Sequence, residues 1–340
     1  MNFVSSEQNI LKAAVIGIGN MGRNHLRVLK EIEDVRVVAV ADSDEPALGK
    51  VASYYGINTY TDYRRMLEKE KPQLVSIAIP TERHAEVACD AISYGANVLI
   101  EKPMAMNCEE GQQIIDIAKN YKAKLMVGHI ERFNPAVVEV KKRLENNELG
   151  RIFQVHARRL SPYTGRILGV GVVFDLASHD IDVMRYLICS EVDRVYAEIE
   201  RKVHDNYEDM LSGLLRFKNG TVGVLDVNWI TPTKVRQLTV LGERGMYLVD
   251  YLTQDVFWYQ NRFSESSWGN LSMFRGMLEG DMVKIHIQKK EPLRAELESF
   301  IIAVRNNEKP LVDGEDGVAT LKVVQKLIES GNKHIPVYIQ

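Results

Sequence analysis

Glu101-Lys102-Pro103 follows directly on the short apolar run Asn97–Ile100. An amine at the carboxyl end of a buried strand can hydrogen-bond a substrate hydroxyl and stabilise negative charge growing on its oxygen. A cis Pro103 would fix the direction of that lysine. Further along, Gly169-Val170-Gly171 leads into Val172-Val173-Phe174-Asp175 and then Leu176-Ala177-Ser178-His179. The two glycines allow a loop to approach a ligand closely. Asp175 and His179 are four apart, so a helix puts them on one face, with Asp182 near it. A carboxylate beside an imidazole orients it and raises its basicity, which suits removal of a hydroxyl proton. Singly, each piece has a plainer reading: Lys102 as a surface lysine before a turn, His179 as a capped or core histidine. Together they are more specific than either alone, and both suit a hydroxyl that loses a proton as hydride leaves its carbon. Which of Lys102 and His179 takes the proton stays open.

Such an oxidation needs a hydride acceptor, and a motif for one stands near the start of the chain. The apolar run Ala13–Gly17 enters Gly17-Ile18-Gly19-Asn20-Met21-Gly22, a GxGxxG turn between a strand and a helix. Gly17 permits the tight turn, Gly19 lets the backbone approach a pyrophosphate, and Gly22 allows close helix–strand packing. The helix N-terminus that carries Asn20 and Met21 offers N–H groups to the phosphates. Twenty residues beyond Gly22, the second strand ends at Asp42. Its carboxylate suits the two hydroxyls of the adenosine ribose and repels a 2′-phosphate. Ser43, Asp44 and Glu45 follow, with no arginine to hold such a phosphate. The cofactor expected is NAD.

The elements that must position these groups alternate in type. Ala13–Gly17, Val35–Ala41, Leu74–Ile79, Asn97–Ile100 and Lys124–Val127 read as strands buried on both faces. Arg23–Ile32, Tyr63–Glu70, Ala85–Tyr94 and Glu109–Tyr121 read as helices between them. That alternation predicts a doubly wound parallel sheet over residues 10–130. From 131 to 340 the pattern changes to α+β, with helices at Ala136–Leu144 and Asp175–Ile188 and an extended Arg151–Leu160. Asn219-Gly220 and Glu243–Gly245 signal hairpins of an antiparallel, open-faced sheet. Helices at Pro292–Val304 and Gly317–Glu329 follow, and a C-terminal helix packing back on the first domain is allowed for.

The 340 residues carry 43 basic and 46 acidic side chains, a formal net charge of -3. That balance points to neither nucleic acid nor an anionic membrane as partner. Cys89, Cys108 and Cys189 are too few and too scattered for a disulfide framework or a zinc site, and no metal is expected. The first eight residues lack the pattern of a signal peptide, and no apolar run reaches the ~20 residues of a membrane span, so a cytoplasmic protein is expected.

Glu101-Lys102-Pro103 after the fifth strand, with the later glycine loop and Asp175-x-x-x-His179, resembles the glucose–fructose oxidoreductase, inositol dehydrogenase and rhizopine-catabolism (Gfo/Idh/MocA) family. The resemblance extends to Thr81 and His84 after the fourth strand, which match a family segment near the nicotinamide ribose. It extends also to the stretch Pro310–Gly317. It places Lys102, Asp175 and His179 as the catalytic triad, and Glu101 with Lys102 beside the cofactor. One departure is Gly169-Val170-Gly171 where the family has a glycine triplet. The resemblance implies reversible oxidation of a secondary alcohol on a sugar or cyclitol. It also implies a homodimer or homotetramer joined through the antiparallel sheet.

Gly128–Ala136, with Arg132 and Asn134, is similar to the corresponding segment of the family's UDP-N-acetylglucosamine 3-dehydrogenases. So is Arg158–Arg166, with Tyr163. Independently of that likeness, Arg158, Arg159 and Arg166 near the glycine loop would suit a diphosphate. Their plain alternative is pairing with acids at the domain boundary. The expected substrate is a sugar or nucleotide sugar, with Arg132, Asn134, Arg158, Tyr163 and Arg166 beside it. An inositol or free-aldose dehydrogenase, or a non-catalytic sensor of NAD or sugar, remains the alternative.

Overall fold

A computed structural model describes residues 10–163, 169–263 and 277–339. The chain divides into two compact units, one of residues 1–130 with 291–321, the other of residues 131–290 with 322–340.

The first unit is built on β1 (Leu11–Ile16), β2 (Val35–Ala41), β3 (Asn58–Tyr60), β4 (Leu74–Ile77), β5 (Asn97–Glu101) and β6 (Leu125–Gly128). They form one parallel sheet in the order β3-β2-β1-β4-β5-β6. β4 and β6 are buried along their whole length and β1 everywhere but at Lys12, as a sheet covered on both faces requires. Between the strands lie α1 (Asn20–Glu31), α2 (Glu45–Tyr55), α3 (Tyr63–Glu70), α4 (His84–Ser93) and α5 (Cys108–Tyr121). Local chemistry sets their ends. Asp44, Asp62 and Asn107 each accept a backbone N–H of the first turn of α2, α3 and α5. α2 stops at Gly56 in the left-handed region. Strand order reverses between β1 and β4, so a crevice opens at the carboxyl ends of these two strands.

The second unit carries α6 (Pro135–Glu145), β7 (Ile152–Leu160), a π-turn at Val173–Ala177 and α7 (Ser178–Ile188). Its other strands are β8 (Val192–Glu200), β9 (Met210–Phe217), β10 (Val222–Asn228), β11 (Val235–Gly242), β12 (Gly245–Asp250), β13 (Asp255–Phe263), β14 (Met277–Ile285) and β15 (Val337–Tyr338). The sheet runs β14-β13-β12-β11-β7-β10-β9-β8-β15, antiparallel except where β10 lies parallel to β7. Both expected hairpins form, β9–β10 around Gly220 and β11–β12 around Glu243–Gly245. Strand parity puts Val155, Ala157, Leu238 and Val240 into one core with Val173, Ala177, Ile181 and Met184 of the π-turn and α7. The opposite sheet face is more open and includes Leu214, half exposed. α8 (Pro292–Arg305) is counted with the first unit, and α9 (Gly314–Lys333) begins there and ends in the second. Among the described residues, no helix is long and apolar enough to cross a membrane.

Candidate active site

In the first unit every expected cofactor residue stands at or after the carboxyl end of a strand or in the first turn of the next helix. Gly17 follows β1 with φ +88°, a conformation that favours glycine. A Cβ there would stand 2.3 Å from the Ala78 carbonyl oxygen. Gly22 packs against the same turn: its Cβ would lie 1.8 Å from the Gly17 oxygen. Gly19 is exposed and a Cβ on it would meet nothing within 4 Å. Two glycines thus serve the fold, while the third leaves open space for a ligand. Gly19 caps α1 without any side-chain hydrogen bond, which leaves this helix end to the backbone N–H groups around Asn20 and the exposed Met21.

Asp42 follows β2, and its carboxylate accepts the N–H of Ile18 at 2.7 Å and that of Asp44 at 2.9 Å. It therefore also ties the glycine loop to the second strand, a task that spacing alone does not reveal. Gly17, Gly19, Asp42 and exposed Ser43 line a cavity of about 380 Å³. Arg64 and Arg83 also line it, neither of them anticipated from sequence. Arg64 is held by Glu86 and Asp90 at 2.6 and 2.8 Å, so it is not an uncommitted phosphate anchor. The glycines and Asp42 fit a dinucleotide with an unphosphorylated ribose.

Lys102 follows β5, and the Lys102–Pro103 bond is cis. Its N–H donates to Glu101 Oε2 at 3.2 Å. Glu101 Oε1 contacts His25 Nε2 at 3.0 Å, and His25 Nδ1 contacts Ser76 Oγ at 2.7 Å with the ring fully buried. A buried chain from β4 through α1 thus holds the backbone of Lys102. Burial pushes the Glu101 carboxyl up, but the bond to His25 and the charges of His25 and Lys102 outweigh it and leave it below its usual range. A carboxylate depressed in the folded state adds stability above its unfolded pKa and loses it as pH falls through the folded value. His25→Ala removes the strongest opposition to burial, so acid loss of stability should begin at higher pH than in wild type. Melting curves between pH 4 and 7 check this.

His84 is placed differently from its sequence reading. It is 1 % exposed, with Nδ1 2.9 Å from the Pro103 carbonyl and Nε2 2.9 Å from that of Ile79. Burial lowers its pKa despite both carbonyls. It clamps the segment after Lys102 rather than facing a ligand. Thr81, in the turn Thr81–Arg83 before it, stays partly open.

In the second unit Asp175 lies in the π-turn and His179 in the first turn of α7, both partly exposed, as are Phe174 and Leu176 beside Asp175. The π-turn replaces the regular helix that the four-residue spacing predicts, a wider turn often found at functional sites. Gly171 answers to packing: its Cβ would fall 2.0 Å from the Glu208 carboxyl. Glu208 accepts from the Val173 N–H at 3.3 Å, and burial raises its pKa. Asp182 turns inward to Arg132, with two contacts of 2.7 and 2.6 Å.

Several expected substrate contacts are therefore corrected. Arg132 is 4 % exposed and bound to Asp182, a buried structural pair. Asn134 caps α6 and donates to the Tyr251 carbonyl at 3.1 Å. Arg158 projects from β7 to the open sheet face, 3.6 Å from Asp226, away from α7. Arg159, on the inner face, is held by Asp180 and Glu131 at 2.6 and 3.0 Å. Tyr163 remains exposed beside His204. Arg166 lies outside the described residues.

Residues 11–129 match the family model described as "Oxidoreductase family, NAD-binding Rossmann fold", and residues 137–248 match the "GFO/IDH/MocA C-terminal domain". The chain belongs to the Gfo/Idh/MocA family. It is an oxidoreductase that uses NAD. A UDP-N-acetylglucosamine 3-dehydrogenase of Acidithiobacillus ferrooxidans is 27 % identical over 90 % of this chain and 93 % of its own. A myo-inositol 2-dehydrogenase of Thermotoga maritima is 26 % identical over 92 % of this chain and 93 % of its own. The solved structure of the A. ferrooxidans enzyme superposes with a TM-score of 0.83 at 26 % identity, covering 94 % of this chain and 97 % of that one.

Proposed function

We propose that the chain oxidises a secondary hydroxyl of a sugar, at C3 of UDP-N-acetylglucosamine, giving the 3-keto sugar and NADH. The observation that carries the dehydrogenase reading is the shared placement of Gly17, Asp42, Thr81 and Lys102 at strand carboxyl ends around a reversal of strand order. The A. ferrooxidans relative supports the choice of substrate.

Bound NAD supplies the hydride acceptor. Gly19, Asn20 and Met21 would hold its phosphates, and Asp42 and Ser43 its adenosine ribose. Lys102 hydrogen-bonds the reacting hydroxyl and stabilises its oxygen as the C3 hydride departs. His179 takes the hydroxyl proton, and Asp175 orients the imidazole. The exchange of roles between Lys102 and His179 is the one variant of this scheme. A homodimer or homotetramer joined through the antiparallel sheet belongs to the proposal, and sedimentation showing only monomer removes that part.

A second reading, inositol dehydrogenation, gains from one correction. Arg158 faces away from α7, which removes one reason to expect a diphosphate. The T. maritima relative supports it as well. NADH absorbance followed in parallel with UDP-N-acetylglucosamine, myo-inositol and glucose separates the readings. Turnover of the nucleotide sugar is expected. Turnover of myo-inositol alone selects the second reading, and none with any sugar points to a sensor.

A further inference from the structure

On the inner face of the second unit, the buried arginines are matched to carboxylates with one exception among the described residues. Arg132 is paired with Asp182, and Arg159 with Asp180 and Glu131. Arg236 sits on β11 in register with Arg159 on β7 and is 8 % exposed. Only its Nη1 is engaged, donating to the carbonyls of Leu160 at 2.6 Å and Val235 at 2.9 Å. Its Nε and Nη2 have no hydrogen-bond partner among the described residues, and no carboxylate pairs with it.

A buried guanidinium with unspent donors invites an anion, because planar oxyanions take two parallel N–H groups at once. Its surroundings agree. Burial and the neighbouring Arg159 push the Arg236 pKa down to about 10, against the charges of Asp180, Glu131 and Asp175. An incoming anion would relieve this strain without displacing any existing ion pair. Asp175, one of the proposed catalytic groups, belongs to that electrostatic neighbourhood, so an anion held at Arg236 would be attached to a substrate rather than remote from it.

We propose that Arg236 is a specificity-determining residue that holds an anionic oxygen group carried by the sugar, the diphosphate of a nucleotide sugar. This rests on the proposed dehydrogenase function and deepens it. It replaces Arg158, which strand parity turns to the other face. A sugar carboxylate has the same chemistry, and the test distinguishes the two sources.

The NADH-bound protein is titrated calorimetrically with UDP and, separately, with D-glucuronate. Wild type, Arg236→Lys and Arg236→Gln are compared. Wild type should bind UDP, Arg236→Gln should weaken it by about tenfold to a hundredfold, and Arg236→Lys by less. NADH affinity should stay within about twofold in all three, since Arg236 belongs to the other unit. Binding of glucuronate alone, with the same dependence on Arg236, supports the residue's role with a carboxylate as the anion. Wild type that binds neither probe overturns the proposal, and so does an Arg236→Gln variant as tight as wild type. Should Arg236→Gln fail to fold, Arg236→Lys decides in the same way. If UDP binding depends on Arg236 while the protein oxidises only myo-inositol, the nucleotide-sugar reaction fails and the anion site stands.

Discussion

Lys102→Met should lower kcat by about a thousandfold, the middle of the range for a positioned acid–base group. NADH should still bind within about threefold of wild type, because the proposed cofactor site rests mainly on the glycine loop and Asp42. Methionine keeps the length and apolar stem of lysine and removes only the ammonium. The backbone at this point is held independently, by Glu101 on the Lys102 N–H and by His84 next to the Pro103 carbonyl. Loss of turnover would therefore report the amine rather than a collapsed loop. Stopped-flow traces of NADH formation, with fluorescence titration of NADH, separate the two quantities. More than a tenth of wild-type kcat in Lys102→Met would show that the amine does not touch the reacting oxygen.

The same variant helps to assign the proton. The group that accepts it must be deprotonated beforehand, so kcat falls on the acid side of its pKa. Removing that group removes the acid limb of the profile. His179→Ala should flatten the limb if the imidazole is the base, and Lys102→Met if the amine is. Asp175→Asn should leave the limb in place with lower kcat if, as proposed, Asp175 only orients the ring.

Strand-end chemistry was readable because it needs few residues in fixed order. Gly17, Gly22 and Asp42 announced themselves by spacing, and each stands where a dinucleotide fold requires it. Gly171 did not: the space above it belongs to Glu208, which comes from 37 residues further along the chain and is visible only in three dimensions. The π-turn at Val173–Ala177 was invisible because an extra residue in one turn leaves no mark on apolar spacing. β3 was missed because three residues, Asn58–Tyr60, are too few for a period to show. The arginines are more instructive. Val155 and Ala157 mark the inner face of β7, so period-two counting already puts Arg159 inside and Arg158 outside. The same count along β11 puts Arg236 inside with Leu238 and Val240. Reading Arg158, Arg159 and Arg166 as one cluster ignored that alternation. The buried pairing of Arg132 with Asp182 had no local signal, since its partners are fifty residues apart.

Gly22→Ala and Gly19→Ala should fail in different ways, and the difference isolates the ligand. At Gly22 the new methyl meets the Gly17 carbonyl, a backbone atom that cannot rotate aside. α1 would have to retreat by about an ångström, yet Leu26, Val28 and Leu29 lock it into a close-packed core. Stability should fall by about 1–3 kcal/mol, and NADH affinity by about a hundredfold or more as the loop deforms. At Gly19 the backbone is at φ -62°, open to alanine, and nothing lies within 4 Å of the added carbon. Gly19→Ala should keep its stability within about 0.5 kcal/mol of wild type. Its NADH affinity should still drop by at least about tenfold, because the methyl fills the space over which the pyrophosphate must pass. Chemical denaturation and NADH fluorescence read the two effects separately. If Gly19→Ala binds NADH as wild type does, the dinucleotide does not cross this turn and the motif serves only to pack a helix on a strand.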